Sequence, residues 1–380
     1  MEAYSFTAEH LYDEIFFKSE AFTLLDVRNK EEFAKFAVEG PFLETIINIP
    51  YFEFLEFEEE SIKKVPVGRK LKIVCAKEGS AKYVADILLA NGFEDVGYLS
   101  GGIGTWADLL KPVLIEKNER YCLYQFVRPG KASLSYGLTS GNECFIFDPA
   151  RSIERYVEFA RDQNLSITKS FETHLQADYI SGSQKLAREV NAEILGHEGD
   201  FGIAAFDYTK VKDGQVIQPS NQAVTIKVIH TPGHTPGSTS YLIDDRFLIS
   251  GDAVFIKSIG RPDLGGKVEE WSNLLFNTIQ NVLKPMDKQI HVLPGHYMDW
   301  SEMTPDATFM DSVDHIMTTN SQIYGINDLE TFTRFIKDNM RKQPDVYATI
   351  RQINAGRLAP DEEEQKTMDI GKNECAASNA

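Results

Sequence analysis

Four short motifs do most to constrain this chain: THLQAD at 173–178, HTPGHT at 230–235, SGDA at 250–253 and LPGH at 293–296. They place His174, Asp178, His234, Asp252 and His296 on turns, each after a stretch that reads as a strand. Imidazole and carboxylate together are a ligand set for zinc or iron. His230 precedes the TPGH turn and reads as a packing or supporting residue. His197 and His315 lie outside the motifs.

The chain has 380 residues, enough for two domains, and a composition typical of globular proteins. Residues 4–110 alternate strand-like and helix-like stretches. FTLLDV and LKIVCA are short apolar runs suited to buried strands, and SAKYVADILLANGF is an amphipathic helix ending at Asn91-Gly92. Such alternation implies a mainly parallel sheet covered on both faces. KPVLIEKNER carries a proline and a charged cluster and reads as the domain break. Beyond it, short strands between Gly/Pro turns mix with helical stretches. The expected organisation is a first domain over 1–112, a linker over 113–120 and a second domain over 121–325. A helical extension follows over 326–358, then a polar, disordered tail over 359–380.

The first segment resembles a rhodanese domain, through LLDVRNKEEF at 24–33, INIP at 47–50, KIVC ending at Cys75, and GFEDVGYLSGGIGTW at 92–106. That resemblance implies an α/β, parallel-sheet domain in which Cys75 is a catalytic thiolate carrying sulfane sulfur. A thiolate after a buried strand and before a helix meets backbone N–H groups that favour negative charge. Active rhodanese loops commonly carry arginine after the cysteine, whereas CAKEGSA offers Lys77 and Glu78. Weak activity toward thiosulfate is therefore expected. Asp26 and Arg28 are expected to pair in support of the loop.

The second segment resembles the metallo-β-lactamase superfamily, which implies an αββα fold. The family's second motif histidine is Gln176 here, and its last is Tyr179. A glutamine oxygen is a weak donor, and a phenol titrates near pH ~10 unless a metal lowers it. His174, His234 and Asp252 remain as the metal ligands, the set of a mononuclear non-haem iron site. ADYISGSQKLARE at 177–189 and GRPDL at 260–264 resemble the persulfide dioxygenase and glyoxalase II branches. The resemblance implies one Fe(II) per chain, with zinc as the alternative. Asp178 and His296 would orient ligands or substrate, and Arg261 would organise the pocket or bind an anion, unless it forms a structural salt bridge.

The implied reaction is oxidation of a small-molecule persulfide such as glutathione persulfide by O2 to sulfite, coupled to sulfur transfer by the rhodanese domain in sulfide detoxification. A zinc thioester hydrolase resembling glyoxalase II and a non-catalytic persulfide-carrying module are the alternatives. The net charge of −18 argues against nucleic acid or an anionic membrane as the main partner. Cys75, Cys122, Cys144 and Cys375 form no CxxC pair, and Cys375 reads as incidental. MEAYSFTAEHLYDE lacks the basic and apolar regions of a secretory signal, so a cytoplasmic location is expected. The family resemblance adds a possible homo-oligomer.

Overall fold

The computed structural model describes residues 2–17 and 20–377, which fall into two compact units. The first contains a five-stranded sheet in the spatial order Tyr4–Phe6, Val96–Leu99, Lys70–Val74, Phe22–Asp26, Thr45–Asn48. Every pairing in it is parallel. The strands Phe22–Asp26 and Val96–Leu99 are buried throughout, as a sheet with two covered faces requires. Helix Glu78–Ala90 packs Ala81, Val84, Ala85 and Leu88 into the core. It ends where the sequence marks a stop, at Asn91 and then Gly92 with φ +88°. Arg28 grips Asp26 through Nε at 3.0 Å and Nη2 at 2.6 Å, both groups buried, so the expected pair is formed.

One buried charge in this unit has a measurable consequence. Lys72 is fully buried, 2.6 Å from Glu14 on helix Ala8–Phe16, with its ammonium 4.0 Å from the Phe6 ring centre. Burial pushes the Glu14 carboxyl up, but Lys72 and Lys70 outweigh it and hold the pKa below the ordinary glutamate range. A carboxyl with a lowered folded-state pKa contributes its stability above about pH 4.3 and loses it as pH falls through the lowered value. Glu14→Gln is expected to cost about 2–3 kcal/mol in chemical unfolding at neutral pH, because it strands the Lys72 ammonium. The cost should shrink in acid; an equal cost at every pH would exclude an ionic origin.

The second unit is a sandwich of two sheets with helices outside. One sheet runs Thr209–Val211, Glu193–His197, Ser166–Phe171, Glu143–Phe147, Ser133–Ser140, Cys122–Arg128, Lys111–Lys117. The other runs Val216–Ile217, Ile226–His230, Thr239–Ile243, Phe247–Gly251, His291–Pro294, Asp311–Ser312. Alternation along a strand sorts side chains to opposite faces. Tyr241 therefore meets Phe147 and Phe171 of the facing sheet, with ring centroids 5.5 and 5.2 Å away. Its neighbour Leu242 joins Leu275 and Ile279 in the core under helix Val268–Thr278. On the other outer face, Phe126 packs against Tyr156 and Phe159 of helix Glu154–Asp162. This is the αββα arrangement that the resemblance implies.

Two expectations change. Residues 113–120 are not a bare linker, because Lys111–Lys117 is an edge strand of the seven-stranded sheet. Pro112 fits there because proline lacks an N–H, which excludes it from central strands but not from an edge. The polar tail is folded over its described residues, 359–377. Helix Glu362–Met368 starts with an Asp361/Glu364 capping box and is tied down by Asp369, whose Oδ2 lies 2.9 Å from Arg151 Nε. Cys375, Ala376 and Ala377 are buried beyond it. Residues 378–380 lie outside the described residues.

Candidate metal centre

Each motif residue reaches the centre from the end of a strand. Ser166–Phe171 leads into Thr173–Asp178, and Ile226–His230 into the turn bearing His234. Phe247–Gly251 and His291–Pro294 run side by side in parallel, so Asp252 and His296 emerge together. The local sequence makes this approach possible. Gly251 has φ +50°, and a Cβ there would lie 2.2 Å from Thr173 Oγ1; one on Gly295 would lie 2.5 Å from Asp252 Oδ1. The glycines of SGD and PGH are thus the gap through which these side chains meet.

The five side chains are buried, at 0–2% exposure. Asp252 Oδ2 lies 3.8 Å from His174 Nε2 and 3.5 Å from His234 Nε2. Asp252 Oδ1 lies 3.6 Å from His296 Nε2, which is 3.4 Å from Asp178 Oδ2. Among the described residues, neither Asp252 oxygen nor any of the three Nε2 atoms has a hydrogen-bond partner. Buried polar atoms are almost always paired, so orphans converging on one point call for a guest. The spacing identifies it. Ligand atoms about 2.0–2.3 Å from a tetrahedral ion stand about 3.3–3.8 Å from one another, longer than hydrogen bonds. The residues therefore fit a divalent cation.

Hydrogen bonds at the opposite ring nitrogen keep each Nε2 facing inward. Nδ1 of His234 donates to the Arg261 carbonyl at 2.9 Å, and Nδ1 of His296 to the Ala132 carbonyl at 3.1 Å. Nδ1 of His174 lies 2.9 Å from the Thr173 hydroxyl, which donates at 2.9 Å to Asp148 Oδ2. Burial raises the Asp148 carboxyl to about 6, and its φ of +52° marks the turn that delivers it. Burial lowers His234 to about 4, which keeps it neutral as a ligand must be. At His296 burial also lowers the pKa, but Asp252 and Asp178 outweigh it and raise the value to about 9. The carboxylates there call for positive charge. Thr173→Val is expected to break the His174 relay and weaken metal affinity about 10–100-fold, read by competition with a chelator of known affinity. Unchanged affinity would show the hydroxyl to be idle.

The substituted family positions are both tied to Asp148, and Gln176 keeps its Oε1 without a hydrogen-bond partner among the described residues. Gln176 Nε2 donates to Asp148 Oδ1 at 3.2 Å. Tyr179 donates its hydroxyl to the Asp148 carbonyl at 3.3 Å, and burial followed by the nearby carboxylates drives its pKa up, so it stays a phenol.

Arg261 requires correction as a residue free to bind an anion. It is 3% exposed, with Nε and Nη2 on Asp263 at 2.6 and 2.7 Å and Nη1 on the Glu374 carbonyl at 3.2 Å. Nη2 also donates to the Arg341 carbonyl. The guanidinium is a structural clamp, and only its backbone carbonyl touches the site. Asp178 and His296 stand inside the centre, where their ligand atoms lie within 4.8 Å of Cys375 Sγ. Cys375, read as incidental, is thus buried beside them. No motif or spacing marks it, because the backbone places it: Arg261 N–H donates to the Cys375 carbonyl at 2.9 Å, and Ala377 N–H to the Ile259 carbonyl at 2.8 Å. His230 lies outside the group, stacked on His197 at 4.1 Å with Nε2 on the Pro236 carbonyl.

In the first unit, Cys75 is 5% exposed, at the end of strand Lys70–Val74, among the apolar residues of the core. Glu78 opens the following helix, and its Oε2 accepts from the Gly101 N–H at 2.8 Å.

Family models match both halves: the rhodanese-like domain over residues 7–109 and the metallo-beta-lactamase superfamily over 128–281. A probable metallo-hydrolase of Bacillus subtilis is 26% identical over 43% of this chain and 83% of its own length. A hydroxyacylglutathione hydrolase of Anaeromyxobacter dehalogenans is 28% identical over 44% of this chain and 63% of its own. The mitochondrial persulfide dioxygenase ETHE1 of Bos taurus is 24% identical over 46% and 67%. A metallo-beta-lactamase structure from Staphylococcus aureus superposes with a TM-score of 0.57 and 28% identity, over 63% of this chain and 74% of that one. Fold and site define an enzyme of the metallohydrolase fold with a divalent metal, zinc or iron. The chain carries a rhodanese-like domain at its N-terminus, followed by a domain of the metallo-β-lactamase superfamily.

Proposed function

We propose that this chain is an iron-dependent persulfide dioxygenase that converts glutathione persulfide or a related small persulfide to sulfite. The carrying observation is the His174–His234–Asp252 face, two imidazoles and one carboxylate oxygen around one point, with Gln176 turned to Asp148 instead of completing a three-histidine set. Two histidines and a carboxylate with open positions suit Fe(II), which when bound supplies coordination sites for substrate and O2. The likeness to a persulfide dioxygenase supports the reading. The net change is RS–SH + O2 + H2O → RSH + HSO3− + H+, which breaks the S–S bond and oxidises the outer sulfur. The chain's own part is to hold the ligands in one tautomer and to keep the surroundings dry.

The rhodanese-like domain would pass sulfane sulfur: RS–SH + Cys75–SH → RSH + Cys75–S–SH. Glu78 puts a carboxylate three residues from Cys75, on the Gly101 N–H, where it repels a dianionic donor more than a singly charged one. This favours persulfide donors over the thiosulfate dianion.

The test is metal content of protein purified without oxidation, with O2 uptake on adding glutathione persulfide. Iron with persulfide-dependent uptake supports the proposal. Zinc without uptake overturns it in favour of thioester hydrolysis, and iron without uptake in favour of a sulfur-carrying module. Cys75→Ser is expected to remove sulfur transfer to an acceptor thiol while leaving O2 uptake within about twofold, since Cys75 belongs to the first compact unit and the metal ligands to the second. Undiminished transfer would exclude Cys75 as the carrier.

A further inference from the structure

We propose that residues 373–377 form a plug over the metal centre, one that must lift before a ligand can reach the cavity. All five side chains of the centre are buried, at 0–2% exposure, so a small molecule reaches a metal there only if something moves. The segment lies against three of the four motif turns. Cys375 and Ala376 share one apolar cluster with Ala177 of THLQAD and Phe255 just after SGDA, and Met298, just after LPGH, packs against it. The Cys375 sulfur stands within 4.8 Å of the ligand atoms of Asp178 and His296. It fills space beside those side chains that an incoming thiol would need.

The plug is joined to the loop that backs the ligands. Ala376 bridges Gly260 as in an antiparallel pair, flanked by the main-chain bonds of Cys375 to Arg261 and of Ala377 to Ile259. A Cβ on Gly260 would lie 1.9 Å from the Asp252 carbonyl oxygen and 2.9 Å from His234 Nδ1, so this loop is pressed against both ligands. On its other side the plug is clasped by side chains. Arg341 Nη2 donates to the Ala376 carbonyl at 3.1 Å, Arg341 Nη1 lies 3.1 Å from Glu374 Oε2, and the Glu374 N–H donates to the Tyr347 hydroxyl at 2.8 Å.

The bonding makes this segment, and not the strands, the moving part. It belongs to no helix and to no strand of either sheet, and meets the backbone of the site only through the bridge at Gly260 and its two flanking bonds. Local opening draws on segments with few bonds to break. The Arg341 and Glu374 side chains are 33% and 43% exposed, so the outer clasp is an ion pair open to water, which contributes little. Lifting the plug leaves the ligand-bearing strands intact. The inference rests on the cavity binding a metal and holds whatever the reaction at that metal.

The test measures Co(II) uptake by the metal-free protein and Co(II) release from the loaded protein to excess chelator, each as a rate, beside the equilibrium affinity. The whole chain is compared with a variant ending at Lys372. A plug gates both directions. Its loss is expected to speed uptake and release alike, by more than about tenfold, and to leave affinity within about twofold. Faster release with unchanged uptake would overturn the proposal, because the segment would then hold the metal and not gate it. Rates equal to those of the whole chain would overturn it as a cover. Co(II) bound by neither protein would overturn the metal centre and the plug together. Should the shortened chain fail to fold, Arg341→Gln removes the outer clasp and is expected to raise both rates about threefold, the factor that an exposed ion pair contributes. Unchanged rates in that variant would likewise overturn the plug.

Discussion

On the proposed function, His174→Ala is expected to lower persulfide-dependent O2 uptake by more than about 100-fold and to release the metal from the His174–His234–Asp252 position. Removing supporting groups around a metal already costs about 10–100-fold in affinity or activity, and removing a ligand costs more. Among the described residues His174 Nε2 is one of two imidazole nitrogens facing Asp252 Oδ2, and Gln176, held by Asp148 through its Nε2, offers a weak amide oxygen and no imidazole in its place. The fold should survive, since the loss is a half-polar ring at the mouth of a strand end, and circular dichroism should be unchanged. Metal analysis beside O2 uptake separates the outcomes. Retained iron with lost turnover would move His174 from ligand to substrate contact. Retained turnover would remove it from the site.

Arg261→Lys carries the second large effect, and it falls on stability. The guanidinium makes two parallel bonds to Asp263 and donates to the carbonyls of Glu374 and Arg341, all in a position 3% exposed. An ammonium offers neither the planar fork nor the reach, and it leaves the Asp263 carboxylate partly unpaired. The expected cost is about 2–3 kcal/mol in denaturant unfolding, toward the lower end for a broken buried pair because lysine keeps the charge. KM for persulfide should change little. A raised KM with unchanged stability would restore Arg261 to the role of binding an anion.

The chemistry of the centre was legible because it is local. Histidine and aspartate in glycine turns after strands declare a ligand set, and alternating buried strands and helices declare a parallel sheet. Gln176 and Tyr179 also announced a departure from the family pattern, which the structure explains through their bonds to Asp148. Asp148 itself was silent. Its carboxylate supports His174 through Thr173 only because two neighbouring parallel strands end side by side.

By itself, the sequence determined the residue types, the turn glycines and the apolar runs, since these follow from ligand chemistry, backbone freedom and period-two burial. Tertiary structure alone decided three things. Pro112 sits on a sheet edge, where its missing N–H costs nothing. Arg261 is spent on Asp263 and the tail carbonyls, because that loop is buried. Cys375 lies beside Asp178 and His296, because main-chain bonds to Ile259 and Arg261 draw a polar tail into the core. A hydrogen bond between backbones more than a hundred residues apart leaves no mark in composition or spacing, and it is such bonds that placed the sulfur.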